Sequence, residues 1–209
     1  MSASITVAEP KTIPKDLIRE TINGVNYYYR GTAEVLRGEK TKEQIMGDSI
    51  LQGFMKTFLA VYLSGLLTLD KYLFLVGEQG LNLKKRNNLS LDAVIYRASQ
   101  WNSKNLSRHY SKKAPVVVLE IDLGVEELDL TGPEPRVVPE ATTRYFFDKI
   151  DQLHTAGTER VVWIFMDRQR LLVSENGIMR TLPWSESFEL IDGIEFNFEA
   201  FLKHYNVQL

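Results

Sequence analysis

An acidic residue set inside an apolar strand-like run constrains this chain more than any other feature. In Ala114-Pro-Val-Val-Val-Leu-Glu-Ile-Asp-Leu123 every residue leading up to Glu120 favours burial. A short, nearly continuous apolar run of this kind reads as a strand covered on both faces. Burying an unpaired carboxylate is costly, so Glu120 must meet a cation, a proton or a strong hydrogen-bond donor. Alternation places Val116, Val118, Glu120 and Asp122 on one face and Val117, Leu119, Ile121 and Leu123 on the other. A structural ion pair would satisfy the same demand.

Asp92 repeats the pattern one strand earlier. In Leu89-Ser-Leu-Asp-Ala-Val-Ile-Tyr96, alternation groups Leu89, Leu91, Ala93 and Ile95, and leaves Asp92 with Ser90 and Val94. Two strand carboxylates form an oxygen-only donor set, which suits a hard cation such as Mg2+ or Mn2+. Lys149 is the third candidate. In a helix expected over 143–156, with Thr142 or Thr143 as N-cap and Gly157 as its left-handed stop, Phe146, Ile150 and Leu153 form the apolar stripe. Lys149 falls on the shoulder of that stripe, where it can snorkel outward or turn toward the strand ends.

Other chemistries are excluded or unsupported. The chain has no cysteine, hence no disulfide and no thiolate metal site. His109, His154 and His204 lie far apart without ligand spacing, and no nucleophile elbow, P-loop or dinucleotide fingerprint is present. The longest apolar stretch, 58–69, is too short to cross a bilayer. The first residues lack the pattern of a secretory signal, so the expected location is cytoplasmic. Net charge is −2, but its distribution is uneven. Eight bases stand against one acid over 84–113, and nine acids against three bases over 120–151. A cationic face is therefore available for a polyanion.

Residues 1–14 read as a flexible arm and 15–209 as one domain. Asn23-Gly24, Asn176-Gly177 and Asp192-Gly193 mark hairpins, two of them near the chain ends. A helix is expected over 42–66, capped by Thr41 or Asp48, with a stripe of Ile50, Phe54, Phe58, Val61, Tyr62 and Leu66. Strands follow at 72–76, 89–96 and 116–123, then the second helix, a strand at 161–166 and a hairpin over 170–182. The order α-β-β-β-α-β predicts an α/β (α+β mixed) fold with a mixed central sheet. Long connections at 98–114 and 124–140 remain. The first interleaves Trp101, His109 and Tyr110 with Lys104, Arg108, Lys112 and Lys113, a composition that suits stacking and phosphate neutralisation on a nucleic acid or, equally, a solvated loop anchored by Trp101.

These residues reach a known family. Ser90-Leu-Asp-Ala-Val-Ile-Tyr96, then Ala114-Pro-Val-Val-Val-Leu-Glu-Ile-Asp122, then Lys149 ahead of Thr155-Ala-Gly-Thr-Glu-Arg-Val-Val-Trp-Ile164 resemble the restriction endonuclease family of the Uma type. That family lies within the PD-(D/E)XK nuclease superfamily, and its members read PDVAF, PxLVVEV and KxxxYxxAGVxEYWLVD. The resemblance implies a restriction-endonuclease-like core with added terminal hairpins, acting as a metal-dependent endonuclease on DNA, with RNA as the alternative substrate. It implies Asp92, Glu120 and Lys149 as catalytic residues, with Mg2+ or Mn2+ on Asp92, Glu120 and the backbone carbonyl of Ile121. Glu20, Gln52 and Asp122 become auxiliary candidates, and Lys104, Arg108, Lys112 and Lys113 the nucleic-acid contacts. Three positions depart from the family pattern: Leu91 replaces its proline, Asp122 its superfamily lysine, and Gln52 a histidine three residues after Ser49.

The expected function is therefore a Mg2+-dependent endonuclease, with a homodimer as the assembly that cuts both strands. The alternative from the same fold is a nucleic-acid-binding module that has lost the chemistry. A third reading assigns the acidic 126–140 segment to a protein partner.

Overall fold

The computed structural model describes residues 13–84, 86–101, 108–121, 125–132, 134–139 and 141–209. Strands β1 (Ile18–Ile22) and β2 (Val25–Tyr29) open the chain, followed by short helices α1 (Thr32–Arg37) and α2 (Glu43–Met46) and the long α3 (Ile50–Leu66). Next come β3 (Tyr72–Lys84), β4 (Asn87–Arg97) and β5 (Val117–Ile121), then the short β6 (Val125–Glu126), β7 (Leu128–Asp129) and β8 (Arg136–Val137). Helix α4 (Ala141–Thr155) leads into β9 (Arg160–Phe165), β10 (Arg170–Glu175) and β11 (Ile178–Pro183). The chain closes with β12 (Phe188–Ile191), β13 (Ile194–Phe196) and α5 (Phe198–His204).

Asn23 and Gly24, Asn176 and Gly177, and Asp192 and Gly193 all have positive φ, from 47° to 84°. That is the turn backbone whose twist matches the strands it joins, which is why Asn or Asp precedes Gly at each. The main sheet runs β11-β10-β9-β5-β4-β1-β2-β6, with β3 also paired to β4. β5 and β9 are parallel, Glu120 standing opposite Trp163, and α4 makes the crossover between them. The remaining main-sheet pairs are antiparallel. The mixed sheet and the α-β-β-β-α-β core are as the sequence leads one to expect.

Each face of the sheet carries one long helix. Met55, Leu59 and Leu63 of α3 pack with Ala93, Ile95, Leu119, Ile121, Ile164 and the aromatic residues of β12, β13 and α5. Ile150 and Leu153 of α4 pack with Val94, Val118, Val161 and Trp163. Val117, Leu119 and Ile121 thus point to α3 and Val118 to α4, as alternation in a strand requires. Each such fully buried Leu or Ile contributes about 1.5–3 kcal/mol.

Several sequence-based expectations are corrected. The first helix starts at Ile50 rather than near residue 42, because Ser49 is its N-cap and closes a capping box with Gln52. The stripe is rotated too: Ile50 is 94% exposed, Val61 and Leu66 are also exposed, and Met55, Lys56, Leu59 and Leu63 face inward. Strict alternation fails at Asp92, since Leu91 packs on the α4 side and Ala93 on the α3 side. Beside it β3 carries a bulge, with Gly77 (φ 112°) and Glu78 together standing opposite Asp92. The acidic segment is no open loop throughout. β6 joins the main sheet, β7 pairs with β8, and the Glu126 carboxylate accepts from Gly31 N–H at 2.9 Å and Ala33 N–H at 3.2 Å, capping α1.

Candidate active site

The two strand acids are held to one another through the backbone. Asp92 sits on β4 and Glu120 on the neighbouring β5, and Ile121 N–H donates to Asp92 Oδ2 at 3.0 Å. Asp92 is 0% and Glu120 2% exposed. Lys149 takes the inward of the two courses open to it: it is 0% exposed. Its Nζ lies 3.1 Å from Glu120 Oε1 and 3.2 Å from Glu20 Oε1, and donates to Ser90 O at 2.8 Å and Tyr145 Oη at 3.1 Å. The Tyr145 hydroxyl donates to Glu20 Oε1, and Ser90 N–H reaches Glu20 Oε2 at 3.4 Å. Asp92, Glu120, Lys149 and Glu20 therefore converge on one buried cluster across β1, β4 and β5.

Three further groups complete it. Arg19, beside Glu20 on β1, places its guanidinium 3.6 Å from Asp92 Oδ1. Lys56 of α3 brings its Nζ to 3.3 Å from that same oxygen. Tyr145 stands one helical turn before Lys149, at the spacing that puts both on one face. Burial raises the Glu120 carboxyl; Lys149 pulls it down and Asp92 and Glu20 push it up again, leaving it near 8. Burial opposes the charge of Arg19, but Tyr145 and the Asp92, Glu20 and Glu120 carboxylates overcome that and hold it above the usual arginine value. Burial also carries the Tyr145 phenol well above its ordinary value, with Glu20 adding to the effect.

These extra residues have faint sequence signals. Tyr145 is four residues from Lys149, Arg19 adjoins Glu20 in a hairpin strand, and Lys56 interrupts the Met55–Leu59–Leu63 line. None announces its target. Gln52 stands away from the carboxylates: its side-chain oxygen accepts from Ser49 N–H at 2.6 Å, and it lines an outer cleft of about 450 Å³ together with Arg19, Asp48 and Glu78. Asp122 and Lys104 lie outside the described residues.

Donor chemistry fits a divalent cation. Asp92 Oδ1 and Glu120 Oε1 are buried oxygens with no hydrogen-bond donor on them, and the set is oxygen-only. Charge is the counterweight, because Arg19, Lys56 and Lys149 already match Glu20, Asp92 and Glu120. Among the described residues no three of His, Cys, Asp and Glu gather closely enough to hold a metal ion. A cavity of about 10 Å³, lined by Arg19, Glu120, Ile121 and Tyr145 among others, adjoins Glu120, roughly the space of one small occupant.

The basic segment lies on the outer edge of β3. Ser111 N–H donates to Gly80 O at 2.9 Å and Asn82 N–H to Ser111 O at 2.8 Å, pinning it like an added strand. Arg108, Lys112 and Lys113 are exposed beside Trp101 and Tyr110 around a recess of about 630 Å³, which shares Glu78 with the outer cleft. Tyr110 lies so close over Gly80 that a Cβ there would stand 2.4 Å from its ring. Gly80→Ala is expected to expel Tyr110 from this recess while leaving the global unfolding free energy within about 1 kcal/mol of wild type. Tyrosine quenching by acrylamide would show it, and unchanged quenching would refute the contact.

No protein family profile matches the chain, and no curated protein matches it. Its fold does match a crystal structure from Anabaena variabilis ATCC 29413 described as "a putative nuclease belonging to DUF820". The TM-score is 0.57 at 11% identity, over 88% of this chain and 89% of that one. The protein therefore has the mixed α/β fold of that structure, with a mixed central sheet. Among the described residues no helix is long and apolar enough to cross a membrane.

Proposed function

We propose that this protein is a divalent-metal-dependent endonuclease of the PD-(D/E)XK type, acting on DNA, with Asp92, Glu120 and Lys149 as its catalytic residues. The observation that carries the reading is the clasp between the acids: Asp92 accepts from the N–H of the residue after Glu120 at 3.0 Å, while Glu120 meets Lys149 at 3.1 Å. Carboxylates tied together on adjacent strands, with a helix-borne ammonium beside one, are the groups that phosphodiester hydrolysis needs.

Asp92, Glu120 and the carbonyl of Ile121 are the groups that would hold Mg2+ or Mn2+, which supplies Lewis-acid polarisation of the phosphate and acidifies a water. Lys149 holds positive charge beside the position where negative charge develops on the phosphoryl oxygens. Tyr145 and Ser90 fix the Lys149 ammonium in place, and Glu20 holds the Tyr145 hydroxyl in turn. Exposed Arg108, Lys112 and Lys113 would neutralise backbone phosphates at the recess that shares Glu78 with the outer cleft. Cutting both strands calls for two such sites, hence a homodimer.

The test is nicking of supercoiled plasmid with Mg2+ or Mn2+. Activity is expected in wild type and is expected to fall to background in Asp92→Ala and Glu120→Ala. Absence of cleavage across a panel of DNA, RNA and metals would reject the hydrolytic reading. The pairing of Asp92 with Arg19 and Lys56 supports a second one, a nucleic-acid-binding module of the same fold without chemistry. That module would bind with a steep salt dependence set by Arg108, Lys112 and Lys113, and indifferently to metal.

A further inference from the structure

Lys56 is buried at the site, yet the chemistry proposed above has no use for it. Its side chain is 6% exposed, and Nζ lies 3.3 Å from Asp92 Oδ1 without hydrogen-bonding it. Its hydrogen bonds go elsewhere, to both carboxylate oxygens of Asp48 at 2.8 and 3.0 Å. Asp48 stands at the mouth, its side chain 40% exposed on the outer cleft. The ammonium thus bridges a buried acid, which it approaches to 3.3 Å, and a solvated acid, to which it donates at 2.8 and 3.0 Å.

We propose that Lys56 and Asp48 form an internal cation gate, in which the Lys56 ammonium neutralises Asp92 in the metal-free protein and withdraws onto Asp48 when a divalent cation binds. The inference rests on the metal-site reading of Asp92 and Glu120 and adds to it the group that competes for that site. Three buried cations already stand among three buried acidic side chains there. Adding a divalent charge without displacing one of them would leave like charges crowded in a medium that screens poorly. Of the two lysines Lys56 is the one suited to leave, because its hydrogen bonds already go to Asp48, whereas Lys149 is held by Ser90, Tyr145 and Glu20; the Arg19 guanidinium stays beside the same Asp92 oxygen. Asp48 is thereby a positioning residue, since it lowers the cost of uncovering Asp92.

The two substitutions must act in opposite directions, which a merely structural role would not produce. Mn2+ titrated into apo protein, followed by calorimetry and by the loss of the free-ion EPR signal, is expected to bind Lys56→Gln about tenfold or more tightly than wild type. Asp48→Asn is expected to bind it more weakly than wild type, and Asp92→Asn to lose it. Lys56→Gln should also show a larger Mn2+-induced rise in Tm than wild type, because the ion restores the missing positive charge. Binding by Lys56→Gln that equals or falls below wild type overturns the gate and leaves the metal site standing. Absence of Mn2+ binding in wild type and Lys56→Gln alike overturns both the gate and the metal site beneath it. Should Lys56→Gln fail to fold, Asp48→Asn decides alone, and an unchanged affinity there overturns the gate.

Discussion

Lys149→Met is expected to cost about 3–5 kcal/mol of folding free energy, measured by urea denaturation in metal-free buffer. Met keeps most of the apolar stem, so the loss isolates the ammonium. That group is fully buried and is the ion-pair partner of Glu120 and Glu20. It also hydrogen-bonds Ser90 O and stands 5.4 Å and 5.6 Å from the ring centres of Tyr145 and Trp163. Removing it leaves the acidic side chains of Glu20 and Glu120 in the interior without the cation they share. Glu120→Gln placed on top of Lys149→Met should return much of the loss, because contacting residues are energetically coupled. A Lys149→Met protein as stable as wild type would show that the ammonium is not needed where it lies.

The second large effect concerns pH. The Glu120 carboxyl rises from an ordinary value of 4.5 to about 8 in the folded chain, burial being the main cause. Between those values the folded protein binds a proton that the unfolded chain does not. Stability from this group is therefore complete below the lower value and is lost as pH rises toward the upper one. The slope is at most about 1.4 kcal/mol per pH unit. Glu120→Gln cannot titrate, so its stability should fall less than that of wild type between pH 5 and pH 8, again without metal. Parallel profiles for the two proteins would remove Glu120 as the source.

Much of this was legible in the residues. Glu120 and Asp92 stood out because each interrupts an apolar strand, and burial of charge demands a partner. The stripe of Phe146, Ile150 and Leu153 leaves Lys149 free to turn either way, and only the packing of α4 on the sheet decides for the inward course. Lys56 and Arg19 went unread for a related reason: a lone base in an amphipathic element reads as a solvated residue until its neighbours are known. The rotation of α3 has a local cause. Ile50, taken as the first residue of its stripe, follows directly on the Ser49 cap and points to solvent. The broken alternation at Asp92 falls beside a register slip in β3, the strand opposite, which residues 89–96 do not encode.

The charged cluster draws on residues 19 and 20, then 56, 92 and 120, and last 145 and 149. A ribosome lays these down in order, so for most of its synthesis the chain carries acids whose counter-charges have not yet been made. β5 cannot settle into the interior with Glu120 ionised before α4 brings its ammonium, and the centre closes only with the crossover into β9. Fragments ending short of that helix hold no half-built centre. The paired cluster is therefore complete only once the residues of α4 have been made.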